Sequence, residues 1–349
     1  MIKYEYNNYK FPYKWNLTDG YPAKGIKSNG LKVFGTFICG GGSTMGYKLA
    51  GFTHLGGVEI DPQVADIYKT NHNPKYLYNQ DIREFNKLID LPEELYNLDL
   101  LDGSPPCSTF SMAGSREKAW GKEKQFKEGQ AFQTLDDLVF EYCNTIIKLK
   151  PKVFLLENVK GIILGNAKAY SKKIVQTMEQ AGYNVQIFLL NGASMGVPQR
   201  RERVFFIGHK KELNFKHLKL NFNEKPITFG EIEDTIDCKR DLLSNSYTKK
   251  WHNTKQGTNP KAPSGNTFGF MYKTSPNNVV GTITSGGTNS HYLKPMELTI
   301  NEYCKIGTYP LDYNFKTLKP KYLIGMSVPP IMTAQIAHQI YLQWFKTEG

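Results

Sequence analysis

Between Leu31 and His209, short apolar runs rich in β-branched and aromatic residues alternate with longer amphipathic stretches, and this alternation restricts the fold most. Leu31 to Ile38, Thr53 to Ile60, Leu98 to Leu101, Val153 to Glu157, Val185 to Leu190 and Val204 to Gly208 read as strands. Thr44 to Ala50, Leu135 to Lys148 and Ser171 to Ala181 read as helices between them. Such an order predicts a doubly wound α/β sheet.

The texture changes on either side of this block. Residues 1–30, with Pro12 and Pro22, are irregular and read as an N-terminal extension. After His209 the sequence turns rich in Lys, Asn and Thr with a weak apolar pattern, Gly257 to Gly269 is turn-rich, and Val279 to Ser285 is again β-like. Residues 210–316 are therefore expected to form a separate small domain, and 31–209 with 317–349 the large one. Val328 to Phe345 opens on Pro329-Pro330 and continues as a helix. No apolar run is long enough for a membrane span and Met1 to Lys10 is polar, so neither a span nor a signal peptide is expected and the cytoplasm is the default compartment.

A formal net charge of +12 attracts polyanions, with nucleic acid the commonest partner and membrane surfaces or mere solubility the alternatives. The five cysteines, Cys39, Cys107, Cys143, Cys238 and Cys304, are scattered, without zinc-ligand spacing or a disulfide framework. One or more is expected to be a working thiol. His54, His72 and His209 have no metal spacing.

Four segments carry chemistry. Gly40-Gly41-Gly42 separates a strand from a helix, where backbone can approach a ligand and helix N–H groups are open. Glu59 ends the next strand, placed to accept from two ribose hydroxyls, and Asp81 could accept from an adenine amino group. The glycines do not follow G-x-G-x-x-G, which counts against a nicotinamide cofactor. Asp102-Gly103-Ser104-Pro105-Pro106-Cys107-Ser108 follows a β run, and its prolines hold the thiol in a rigid frame suited to nucleophilic catalysis. An amino methyltransferase would present an aromatic residue where Cys107 stands. Glu157-Asn158-Val159 puts a carboxyl at a strand end, where partial withdrawal from water suits an acid. Gln199-Arg200-Arg201-Glu202-Arg203 supplies arginines able to fork onto phosphates or carbonyl oxygens. Taken singly, each has a plainer reading: a structural turn, a buried cysteine, a solvated glutamate, a solvated charge cluster.

Taken in order, the segments resemble the motifs of the cytosine-5 DNA methyltransferases from about Val33 to Phe345. Phe37 to Phe52 is similar to that family's cofactor turn and first helix, and Ser104 to Cys107 with Phe110-Ser111 to its nucleophile loop. Glu157-Asn158-Val159 is similar to its acid motif and Gln199 to Arg203 to its Gln-Arg-x-Glu-Arg signature. Leu298-Thr299, Glu302 and Tyr309-Pro310 resemble a later support motif, and Gly325, Ser327 and Val328-Pro329-Pro330 the final one. Gly35 stands where the family usually has Asp, Cys39 at its first turn glycine, Met326 at an Asn, and Gly307-Thr308 at Gln-Gly. These departures bear on cofactor contacts, not on bond-making positions.

The resemblance implies a Rossmann-like S-adenosylmethionine-dependent methyltransferase sheet with a smaller target-recognition domain. It implies S-adenosyl-L-methionine held by Phe37, Gly40, Gly41, Gly42, Glu59, Ile60, Asp81, Ile82, Pro106, Leu135 and Ser327. Cys107 would be the covalent nucleophile, Glu157 would hold N3 and the amine of a flipped cytosine, and Arg203 its carbonyl oxygen, with Arg201 orienting. Double-stranded DNA is the expected partner, met by Ser108 and Gln199 and by Arg240, Lys249 and Lys250 of the basic small domain. Trp251 and His252 are weaker candidates. Such enzymes occur in restriction-modification systems and on mobile elements, where a cognate restriction endonuclease is a candidate partner, and a monomer is expected. The alternatives are a tRNA cytosine-5 methyltransferase, disfavoured by the basic insertion, and a catalytically silent DNA-binding relative.

Overall fold

The computed structural model describes residues 9–106, 135–235, 238–261 and 271–346, with the backbone alone at 135–137 and 166. Seven strands form the central sheet: β1 (Lys32–Thr36), β2 (Thr53–Val58), β3 (Tyr76–Tyr78), β4 (Leu100–Gly103), β5 (Val153–Val159), β6 (Tyr183–Asn191) and β7 (Glu202–Lys210). Their order is β3-β2-β1-β4-β5-β7-β6. Strands β1 to β5 pair in parallel, whereas β7 is antiparallel to both β5 and β6. The β6–β7 connection carries no crossover helix, and an antiparallel pair needs none.

Period-two alternation in the strands separates two apolar cores. Val33, Leu100, Val153, Leu155, Phe205 and Ile207 face one side, where α1 (Gly42–Leu49), α2 (Pro62–His72), α8 (Ile300–Gly307), α9 (Pro320–Met326) and α10 (Pro330–Ile340) pack. Phe34, Leu101, Phe154, Leu156, Val204 and Phe206 face the other, covered by α3 (Ile82–Lys87), α4 (Leu135–Leu149) and α5 (Lys168–Gln180). Both faces are covered, which is why these strands read as nearly continuous apolar runs. The expected strands and helices all appear, with ends shifted by a few residues. The exception is Val279 to Ser285, which makes only an isolated bridge from Val280 to Gln199.

Domain limits differ from the expected ones. The segment after Tyr9 is built into the large core through Phe11, Trp15 and Ala23. Trp15 Nε1 donates to Thr308 O at 3.0 Å and Gln335 Nε2 to Tyr9 O at 3.0 Å. Residues 211–224 also lie along the large domain: Gln186 exchanges two hydrogen bonds with Leu218, and Trp344 Nε1 donates to Lys216 O at 2.8 Å. Among the described residues, a separate small core gathers Leu243, Trp251 and Met271 with Tyr247, around α7 (Asn245–His252), β8 (Met271–Lys273) and β9 (Thr288–Ser290). Low apolar content there concealed the boundary. A final short helix, α6 (Phe229–Ile232), leads into this unit. Among the described residues, no helix is long and apolar enough to cross a membrane.

Candidate active site

Parallel strands end their ladders at one edge, and ligands of open α/β sheets bind beyond those ends. A cleft of about 400 Å3 lies there, beyond β1, β2 and β4 and under α9. Phe37, Gly42, Glu59, Ile60, Asp81, Ile82, Pro106 and Ser327 line it, all expected in that role, together with Asp102, Gln80 and Leu138, which were not. For Leu135, expected nearby, only the backbone at the start of α4 is described.

The turn after β1 is tightly determined. Phe37 and Cys39 adopt left-handed backbone at φ 54° and 47° although neither is glycine. Cys39 N donates to Glu59 Oε2 at 2.9 Å, and the Ser327 hydroxyl lies 3.7 Å from the Cys39 sulfur. Tyr309 donates to that same hydroxyl at 2.6 Å. The departure at Cys39 is thus held by a residue of the final motif. Gly40 and Gly41 are a correction: they shape the turn but are not in the cleft wall. A Cβ on Gly40 would come within 2.5 Å of Leu323, and one on Gly41, at φ 75°, within 2.2 Å of His72. Their lack of side chains serves helix packing, whereas Gly42 both lines the cleft and abuts Val328 O.

Glu59 follows β2 with its side chain buried. Oε2 accepts from Cys39 N and Oε1 from Asp61 N, each at 2.9 Å. Burial pushes this carboxyl up to about 7, against the pull of those amides. Each oxygen keeps a lone pair, which fits the two hydroxyls of a ribose. Asp81 caps α3 through Arg83 N at 2.8 Å and pairs with the Arg83 guanidinium at 3.2 Å. Gln80 Nε2 is buried without a partner among the described residues, a donor suited to a ring nitrogen of a nucleoside. An acid after the second strand and, after the third, an amide without a partner among the described residues together fit an adenosine cofactor.

At the other end, Pro106 lines the cleft and precedes Cys107 in sequence; Cys107 and Ser108 lie outside the described residues. Asn158 Nδ2 donates to Pro105 O at 3.5 Å, joining the end of β5 to the segment that leads to Cys107. Beside it Glu157 Oε1 lies 2.9 Å from Arg203 Nε. Among the described cysteines, burial pushes the thiols of Cys39, Cys143 and Cys304 up to about 12, which disfavours thiolate chemistry. Cys238 is exposed in the small unit.

Three expected site residues need correction. Arg201 is 2% exposed, and its terminal nitrogens donate to Ile283 O at 3.0 Å and Gly325 O at 3.1 Å. It ties the Thr282–Ser285 segment to α9 rather than reaching a substrate. Gln199, 1% exposed, donates to Ile306 O at 3.3 Å and accepts from Ile283 N at 2.9 Å, so it is an internal stitch and not a DNA contact. Arg240 is sequestered against Glu302, with Nη2 2.7 Å from Oε1, and joins the small unit to α8. Buried partners absorb these groups, which sequence alone could not reveal. Lys249 is exposed, and Lys250 lies 5.8 Å from the Tyr247 ring centroid, both in the last turn of α7.

The profile of one family, described as C-5 cytosine-specific DNA methylase, matches residues 31–342. The chain belongs to that family. As such a methylase it is a DNA cytosine-5 methyltransferase that draws its methyl group from S-adenosylmethionine. It is 35% identical over 220 residues to Type II methyltransferase M.FnuDI of Fusobacterium nucleatum, covering 63% of this chain and 58% of that relative. It is 29% identical to Type II methyltransferase M.Bsp6I of a Bacillus strain, covering 89% and 98% of the two chains. In fold the methylase is similar to a prophage-encoded DNA modification methyltransferase of E. coli, at a TM-score of 0.67 and 20% identity over 90% of this chain and all of that one. It is also similar to a Spodoptera frugiperda DNMT2 variant, at a TM-score of 0.64 and 16% identity over 89% and 99% of the chains. Both likenesses are of fold.

Proposed function

We propose that the methylase modifies one duplex DNA sequence through a covalent Cys107 adduct, with Glu157 and Arg203 holding the flipped cytosine. One observation carries this reading: Pro106, the residue before Cys107, walls the same cleft as Glu59 and Asp81. The thiol is tethered one residue from the cofactor wall, and Asn158 connects that tether to Glu157.

The chain's own groups account for the chemistry. The Cys107 thiolate adds to C6 of cytosine, and the C5–C6 π electrons move to C5. Glu157, when protonated, donates to N3 and accepts from the exocyclic amine, drawing electron density from the ring. Arg203 donates to the cytosine carbonyl oxygen. Glu59, Asp81, Gln80 and Ser327 would hold S-adenosylmethionine, which when bound would supply an electrophilic methyl group. Once C5 carries a methyl group, a base such as water removes its proton, the C5–C6 double bond re-forms, and the thiolate leaves. Extruding the base costs a few kcal/mol, which contacts from the small unit must offset. Lys249 and Lys250 are proposed to contribute there, and Ser108 beside Cys107. The Type II names of its relatives support a place beside a cognate restriction endonuclease.

Duplex DNA with 5-fluorocytosine at the target position tests the mechanism, because fluorine cannot leave as a proton does. With S-adenosylmethionine present, a denaturation-resistant protein–DNA species is expected. Its absence on a target that is methylated when it carries cytosine would refute the covalent route.

A further inference from the structure

Asp102 is an acid that the assigned roles leave without a purpose. It lies in β4, in register with Gly35 of β1, and its side chain is 3% exposed. It nevertheless contributes to the wall of the cleft, beside Ser43, Gly42 and Ser104. Tyr47 donates to its Oδ1 at 3.1 Å and the Ser43 hydroxyl also bonds to it. Among the described residues, the groups acting on this carboxyl are those two hydroxyls and a second carboxylate, Glu157. Burial is the main effect and pushes it up to about 7. A buried carboxylate beside another acid is costly, and a cation placed against it removes most of that cost.

Strand order says which part of a ligand meets it. Asp81 follows β3, Glu59 follows β2, the glycine turn follows β1, and Asp102 sits on β4. These four stations run in one direction across the sheet. A ligand with adenine at Asp81 and ribose at Glu59 therefore sends its amino-acid end past the turn towards Asp102. A sulfonium has no N–H to donate, whereas an α-ammonium has three, and a carboxylate is acceptor-only.

We infer that Asp102 binds the α-ammonium of the methionine portion of S-adenosylmethionine and is the residue that selects for an amino group at that end of the cleft. The inference rests on the cofactor orientation proposed from Glu59. It makes Asp102 a binding residue, distinct from the acid that meets the cytosine.

Calorimetric titration of the full chain separates the possibilities without any turnover. The probes are S-adenosylhomocysteine and its analogue lacking the α-amino group. Wild-type protein should prefer the amino compound by roughly 10- to 100-fold, the range for a charge-assisted hydrogen bond. Asp102→Asn should lose that preference while binding the deaminated analogue as the wild type does. Glu59→Ala should weaken both compounds equally. A wild type that binds both analogues equally well overturns the inference even if the variant fails to fold. So does an Asn variant that keeps the full preference. A wild type that binds neither compound would instead sink the cofactor orientation itself.

Discussion

Arg203 Nε lies 2.9 Å from Glu157 Oε1, a pair formed across the antiparallel ladder where β5 ends and β7 begins. Both side chains are largely withdrawn from water, so the pair fixes a carboxyl and a guanidinium at one edge of the sheet. Glu157→Gln keeps the size of the side chain but removes its charge and its capacity to move a proton. It is expected to lower kcat by about 10²–10³-fold, the range for losing one preorganised polar contact. Affinity for S-adenosylhomocysteine should stay within about twofold. Single-turnover methylation together with calorimetry checks this, and unchanged turnover would remove Glu157 from the reaction.

Glu59 accepts two backbone amides and still faces the cleft. Glu59→Ala should weaken S-adenosylhomocysteine by roughly 10- to 100-fold through loss of charge-assisted acceptors. DNA affinity in the absence of cofactor should change little. Equal loss of both affinities, measured by calorimetry and fluorescence anisotropy, would indicate a folding defect in place of a ribose contact.

The sheet was legible because its central strands are buried on both faces and Val33/Phe34, Leu100/Leu101 and Phe205/Phe206 each send neighbours into opposite cores. The acid after β2 was legible for the same reason: a carboxyl ending an apolar run is costly unless it has a task. Asp102 carries the same signal, but it opens the segment leading to Cys107, and in sequence it reads as part of that loop. What stayed hidden depends on contacts distant in sequence. Arg240 looked like a surface cation because Glu302 lies far along the chain, and Gln199 and Arg201 looked available because their carbonyl partners belong to Ile283, Ile306 and Gly325. The departure at Cys39 likewise made sense only once Ser327 was seen beside its sulfur.

Glu59 and Asp102 give the protein a defined response to pH. Burial pushes their carboxyls from 4.5 and 3.8 up to about 7. Between about pH 4 and pH 7 these two carboxyls hold protons in the folded state that the unfolded chain has released, so their contribution to stability falls as pH rises through that window. Burial holds the imidazoles of His54 and His72 below their usual range, and these act in the opposite sense over much of the same window. Thermal melts of the cofactor-free protein therefore isolate the carboxyl contribution as a difference: Asp102→Asn, which cannot ionise, should lose less stability, or gain more, than the wild type as pH rises from about 4 to 7. A slope unchanged by Asp102→Asn would mean that this carboxyl does not titrate in that window.

Arg240 and Lys249 lie in the same basic region yet should behave oppositely. Arg240 pairs with Glu302 at a site where both side chains are buried, with 1% and 0% exposure. Removing one partner strands the other, so Arg240→Ala should cost about 3–5 kcal/mol of stability. Lys249 is exposed on the last turn of α7. Lys249→Ala should leave the melting temperature nearly unchanged. If the proposed phosphate contact is made, it should also reduce the dependence of log Kd on log salt by about 0.9. Chemical denaturation and binding across a salt series measure the two quantities separately. A stable Arg240→Ala protein with a shallower salt slope would restore that arginine to the DNA surface, and an unaltered slope in Lys249→Ala would remove the lysine from it.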